Sequence, residues 1–155
     1  MKIESYVEIG LKEAKLVYIR KSEGPGFYIG PVIFEDVPLN SRLAKEEIFG
    51  PILSIFKADT FDDALKIAND SFFALTGGVY SRKPSHLAKA KEHFNAGNLY
   101  LNRKITGAMV GRQPFGGFNL SGIGMKTGGP DYLLQFMQVK SICENSSRRG
   151  YIPME

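Results

Sequence analysis

The chain has 155 residues, 43% of them hydrophobic, a formal net charge of +4 and one cysteine. That length suits one domain-sized body, one cysteine excludes an internal disulfide, and no apolar run approaches the roughly 18 residues of a membrane-spanning helix. The basic excess is modest and acidic residues are interspersed with it, which points to solubility or attraction for anionic small molecules rather than a nucleic-acid surface.

In chain order, residues 2–13 place Ile3, Tyr6, Val7, Ile9 and Gly10 at mostly helical spacing, so an amphipathic helix is predicted, followed by a strand over 16–19. Gly24-Pro25-Gly26 is a turn, and 27–34 reads as a strand interrupted by Pro31. A short strand over 52–56 precedes a helix capped by Thr60, with Asp62 and Asp63 at its positive dipole end. That helix is expected to bury Ala64, Leu65 and Ala68 and to stop near Asn69. Another strand spans 75–80. Pro84 suits the first turn of a helix that carries Leu87, Ala90 and Phe94 inward and ends at Gly97. Strands over 98–102 and 138–143 complete the set. Alternation of strand and helix between Ile52 and Leu101 implies α/β architecture, with a mostly parallel sheet and helical crossovers.

Three stretches carry chemistry. Asn102 to Gly122 crowds Gly107, Gly111, Gly116, Gly117 and Gly122 around a Pro114-Phe115 pair, which suits a wall close to a small molecule. Lys45-Glu-Glu-Ile-Phe-Gly-Pro-Ile-Leu53 sets a carboxylate two residues before an aromatic ring. Gly128-Gly-Pro-Asp-Tyr-Leu-Leu134 follows. No Gly-x-Gly-x-x-Gly or phosphate-loop pattern occurs. His86 and His93, seven apart without Cys or acidic ligands around them, make no metal site.

These three ordered stretches resemble the aldehyde dehydrogenase superfamily, and within it the pyrroline-carboxylate branch. The resemblance runs from near Met1 to about Cys143 and identifies the C-terminal part of such an enzyme. It implies that 1–137 is a partial catalytic domain, that 138–143 is a terminal oligomerisation strand, and that 144–155 is a polar tail without a family counterpart. By the same resemblance Glu47 accepts hydrogen bonds from hydroxyls of the nicotinamide ribose, a task that suits an acceptor-only carboxylate, and Phe49 lies along the nicotinamide. Gly107 and Ala108 match positions whose backbone N–H groups anchor a substrate carboxylate, and Phe115 matches an aromatic wall beside the aldehyde-bearing carbons. Ile123-Gly-Met125 departs from the Thr-Asp-Ser usual after Ser121-Gly122, which puts the local loop shape in question.

The complete enzyme of that branch oxidises glutamate semialdehyde with NAD (or NADP). A cysteine attacks the aldehyde, hydride passes to the nicotinamide, and an activated water hydrolyses the thioester. Its cysteine lies upstream of the Glu-x-Phe motif, so this chain is expected to supply no catalytic residue and to bind no cofactor by itself. Cys143, in the terminal strand, is expected to be an inert thiol. The partners implied are an aldehyde-acid substrate, a second copy of the chain in a homo-oligomer, and a separately encoded N-terminal half; no nucleic acid or membrane is implied. A non-catalytic remnant serving as a binding or assembly module is the alternative. A reducing compartment suits the lone thiol, the opening Met1 to Tyr6 has no apolar core of a secretory signal, and the expected location is cytoplasmic.

Overall fold

A computed structural model describes residues 2–145. The elements are α1 (Lys2–Glu13), β1 (Lys15–Ile19), β2 (Val32–Glu35), α2 (Arg42–Lys45), β3 (Ile52–Ser54), α3 (Phe61–Asn69), β4 (Phe73–Ala74), β5 (Thr76–Val79), α4 (Pro84–His93), β6 (Asn98–Leu101) and β7 (Phe118–Asn119), followed by a 3-10 turn at Pro130–Phe136.

The α/β composition stands, but the sheet is not continuous. β1, β2 and β3 form one sheet, β4 pairs β7, and β5 pairs β6. β1–β2 and β4–β7 are antiparallel, whereas β2–β3 and β5–β6 are parallel. The expected run of crossovers through one parallel sheet therefore reduces to β5-α4-β6, because β3 and β5 lie in different sheets.

Two apolar cores follow from this division. The first joins Tyr6 of α1 to Val32 and Phe34 of β2 and to Val37 and Leu43. Gly10 is what lets α1 lie on β2: a Cβ there would meet the ring of Phe34 at 2.4 Å, and Phe34 is fully buried. The second core gathers Leu65 of α3, Val79 of β5 and Ala90 of α4, with Leu87 and Phe94 packed beside them. Thr60 caps α3 as expected. Its Oγ1 accepts from the Asp63 N–H at 3.1 Å and donates to the Asp63 carboxylate at 2.6 Å, satisfying an otherwise orphan helix donor.

Several expectations need correction. β2 begins only at Val32, and Phe27 and Tyr28 stand out in solvent. Pro31 explains the late start, since it has no N–H to give to a ladder. β3 ends at Ser54, and the strand expected over 75–80 is the shorter Thr76–Val79. Leu65 is buried but Ala64 and Ala68 are exposed, so α3 presents a narrower apolar face than the spacing suggests. α4 ends at His93 rather than at Gly97. Residues 138–143 form no strand, and their side chains are exposed. A strand needs a partner edge for its N–H and C=O groups, and none of the described residues provides one. The end of the polar tail, from 146 onward, lies outside the described residues. No helix among the described residues is long and apolar enough to cross a membrane.

A three-residue polar clamp ties α1 to α2. Arg42 grips Glu46 through Nε at 2.8 Å and a second nitrogen at 2.9 Å, while the Tyr6 hydroxyl donates to the same carboxylate at 2.5 Å. The Arg42 guanidinium, then the Tyr6 hydroxyl, hold the Glu46 carboxyl down to about 2 from an ordinary 4.5. A carboxyl depressed in the folded state contributes stability that is present above its unfolded pKa and lost as pH falls through the folded one. The denaturation midpoint of the chain should therefore exceed that of Glu46→Gln at pH 7, and the gap should close as pH drops from about 4.5 towards 2. Chemical denaturation across that range checks this.

Gly10 gives a second prediction. Replacing a helical Gly by Ala ordinarily gains about 0.5–1 kcal/mol from backbone entropy, whereas overpacking a filled core costs about 1–3 kcal/mol. With the Phe34 ring unable to swing away, the clash should win, and Gly10→Ala should lower the urea midpoint.

Candidate functional site

Glu47 and Phe49 lie between α2 and β3, on a segment held at both ends by α1. At one end Glu46 sits in the clamp described above. At the other, a Cβ on Gly50 would meet Ile3 at 2.8 Å, so this glycine lets the chain pass close over α1. Pro51 then leads into β3, and its carbonyl accepts from the Val32 N–H at 2.9 Å.

Between those fixed points Phe49 adopts a left-handed backbone, φ 57°. An L-aromatic residue in that region costs about 1–2 kcal/mol, and such strain persists where surrounding contacts over-determine it. Its ring is 85% exposed. It borders a cleft of about 400 Å³ that also involves Ile3, Phe27 and Ile29. Glu47 is exposed two residues before Phe49 and does not line that cleft. An acceptor-only carboxylate two residues from a bare aromatic face fits the nicotinamide-ribose end of a dinucleotide, where hydroxyl donors adjoin a flat ring.

Gly107, Ala108 and Phe115 come together in a different cleft, of about 550 Å³, shared with Leu75, Thr76 and Thr127. Gly107 is left-handed, φ 85°, and exposed, while Ala108 and Phe115 are half-buried. No charged side chain lines this cleft. An anion held there is met by neutral donors, either backbone N–H groups or the side chains of Thr76, Thr106, Gln113 and Thr127. A turn with one residue at positive φ is the conformation that points successive N–H groups at a common spot. Among the described residues the N–H groups of Gly107 and Ala108 make no hydrogen bond.

The rest of the loop is tightly tied. Gly111 N–H donates to the Gly128 carbonyl at 2.8 Å, and Gln113 Oε1 accepts from Met109 N–H at 3.2 Å. Phe115 and Thr127 exchange both backbone hydrogen bonds, at 2.9 and 3.0 Å. Ser121 Oγ accepts from Ala74 N–H at 3.0 Å, and Lys126 Nζ donates to the Gly97 carbonyl. At the departure after Gly122, Met125 N–H is taken up by Gln135 Oε1 at 3.2 Å, so the altered residues have their own local anchor.

Sequence reasoning gave Tyr6 only a place on a helical face and Asn98 only a place in a strand, and it assigned no role to Arg42, Glu46 or Lys126. The i,i+4 spacing of Arg42 and Glu46 was a usable signal; the contacts of Asn98 and Lys126 span 16 to 29 residues and had none. His86 of α4 stacks on Phe61 of α3 with ring centroids 4.1 Å apart, a packing role between the two helices. The described residues contain no group of three or more His, Cys, Asp or Glu placed to hold a metal. Cys143 is exposed and lines neither cleft.

Comparison with known proteins gives this geometry a context. The sequence model of the aldehyde dehydrogenase family matches residues 1–142. The 1-pyrroline-5-carboxylate dehydrogenase of Geobacillus sp. (strain WCH70) is 52% identical over 144 residues, which are 92% of this chain and 28% of that protein. The protein of the same name from Bacillus subtilis (strain 168) is 49% identical over the same shares. Among solved structures, 1-pyrroline-5-carboxylate dehydrogenase from Thermus with bound NAD has a TM-score of 0.85 at 54% identity, covering 88% of this chain and 27% of that one. Proline utilization A from Bdellovibrio bacteriovorus has a TM-score of 0.91 at 50% identity, covering 99% of this chain and 16% of that one. The chain thus spans about 28% of the length of the curated relatives it matches. With a family match over nearly its whole length and an α/β fold shared with these structures, the chain belongs to the aldehyde dehydrogenase family.

Proposed function

We propose that this chain acts as the C-terminal segment of an NAD(P)-dependent delta-1-pyrroline-5-carboxylate dehydrogenase that oxidises glutamate semialdehyde. The observation that supports the reading is a cleft lined by Gly107, Ala108 and Phe115, two of whose residues, Gly107 and Ala108, have N–H groups without a hydrogen-bond partner among the described residues. A semialdehyde with a carboxylate at one end fits it: the anion meets N–H dipoles, and the carbon chain lies along an apolar wall. Small side chains at 107 and 108 serve this by letting the anion reach the backbone.

The cofactor, when bound, accepts hydride from the substrate carbon. Glu47 is assigned to its ribose hydroxyls and Phe49 to limiting the motion of its nicotinamide ring. The nucleophilic cysteine and the general base come from the part of the enzyme that these 155 residues do not span, and Cys143 takes no part. Residues 1–137 form the partial catalytic domain, 138–143 contact a second subunit, and 144–155 are a tail; the setting is cytoplasmic. Association is proposed for the exposed apolar side chains, among them Phe27 at 92%, Ile123 at 96% and Ile142 at 77%.

Two experiments test this. The purified chain mixed with glutamate semialdehyde and NAD should produce no NADH above the uncatalysed background. Co-expression with the preceding portion of the Bacillus subtilis relative should restore turnover. Activity of the chain alone that vanishes in Cys143→Ser would contradict the assignment.

In the restored enzyme, Ala108→Leu should cover the N–H groups that take the carboxylate. Losing a hydrogen bond to a charged group costs about 1.5–3 kcal/mol, which is roughly ten- to a hundred-fold in kcat/KM. That loss should appear with glutamate semialdehyde and not with propanal. Equal losses for both substrates would mean that the loop does not anchor a carboxylate.

A further inference from the structure

We propose that Asn98 is a positioning residue of the substrate cleft, fixing the Phe115 wall against β5 through its side-chain amide. Asn98 opens β6 and is half-buried. Its Nδ2 donates to the Pro114 carbonyl at 2.9 Å and its Oδ1 accepts from the Gly116 N–H at 3.1 Å. One side chain therefore brackets Phe115 on both sides of the sequence. The backbone of Phe115 is already committed to Thr127, so the amide sets where that bridged pair sits relative to the sheet.

The other end of the lever is equally defined. Asn98 N–H donates to the Leu75 carbonyl at 3.0 Å, and Asn98 is the register partner of Thr76. Leu75 and Thr76 line the same cleft as Phe115. Two walls of the cleft are thus joined through one residue that does not line it.

The chemistry requires an amide. A donor and an acceptor are needed on two separate atoms at the same reach, and of side chains this size only Asn offers that. Asp keeps the volume and the acceptor for Gly116 but sets a carboxylate oxygen against the Pro114 carbonyl. Leu or Ala leaves both backbone groups without a partner. The effect on turnover rests on the function proposed above; the effect on the loop does not.

The test has two arms. In the full 155-residue chain, backbone amide exchange and Phe115 ring signals are followed by NMR. Asn98→Ala should speed exchange at Gly116 by about tenfold and alter the Phe115 ring signals, while the β5–β6 ladder amides keep their protection. Asn98→Asp should alter the ring signals yet retain protection at Gly116, and it carries this arm if the alanine variant fails to fold. Unchanged Phe115 signals in Asn98→Asp would overturn the proposal.

The second arm uses the restored enzyme. Asn98→Asp should raise KM for glutamate semialdehyde about tenfold with kcat changed much less, and the effects of Asn98→Asp and Phe115→Ala should be strongly non-additive, as expected of residues acting through one contact. Additive effects would overturn the proposal. If neither variant moves KM while the first arm behaves as stated, the reading of the cleft as a substrate site fails and Asn98 keeps only a structural role.

Discussion

The arrangement of the cleft around Gly107 and Phe115 depends on one close approach of backbone to backbone. A Cβ at Gly97 would lie 1.9 Å from the Gly116 carbonyl oxygen and 2.6 Å from the Gly117 Cα. A Cβ at Gly117 would in turn lie 2.9 Å from the Ala74 carbonyl. Neither contact involves a yielding, flexible side-chain end, so any larger residue would lift the loop from the ends of β4, β5 and β6. Once the loop lies that close, the other ties become geometrically available: Asn98 to Pro114 and Gly116, Ser121 to Ala74, and Lys126 to Gly97. The glycine contact comes first in the causal order because it sets the separation at which hydrogen bonds of ordinary length form.

The Glu47–Phe49 segment is built on a different plan, in which α1 clamps both ends of a short strained stretch. Tyr6 and Arg42 hold Glu46, Ile3 fills the space under Gly50, and between them Phe49 is left in an unfavourable left-handed conformation with its ring outward. A residue free to relax would abandon that conformation, since nothing in a phenyl side chain favours it. The arrangement makes sense if the ring's direction matters more than its local comfort. It also assigns a job to α1, which otherwise serves only as a lid on β2.

Much of this was legible in the sequence, and the pattern of what was not has a physical basis. α1, α3 and α4 declared themselves through apolar spacing, the Thr60 cap and Pro84, all local signals that act within one turn. Glu47, Phe49, Gly107, Ala108 and Phe115 were singled out by the resemblance of their motifs to a family, and the roles given to them above are proposals. Sheet partition was invisible, because whether β3 pairs with β5 depends on how the helix between them packs. β7 and α2 are two and four residues long, too short for periodicity to register. The burial of Ala64 and Ala68 was misjudged since apolar character does not say whether a partner surface exists. Residues 138–143 were read as a last strand, but a pairing edge for it is not among the described residues. Asn98 looked like one more strand residue because its partners lie 16 and 18 positions away.

The central claim is that the loop around Gly107 presents N–H groups to a carboxylate, and titration of the labelled chain with L-glutamate, the product of the proposed reaction, tests it most directly. The account predicts saturable shifts of the Gly107 and Ala108 amide signals, with Phe115 ring signals moving in parallel and the amides of α1 unaffected. Amides at 107 and 108 that stay in place while other regions respond, or that respond equally to an uncharged compound of the same length, would contradict it.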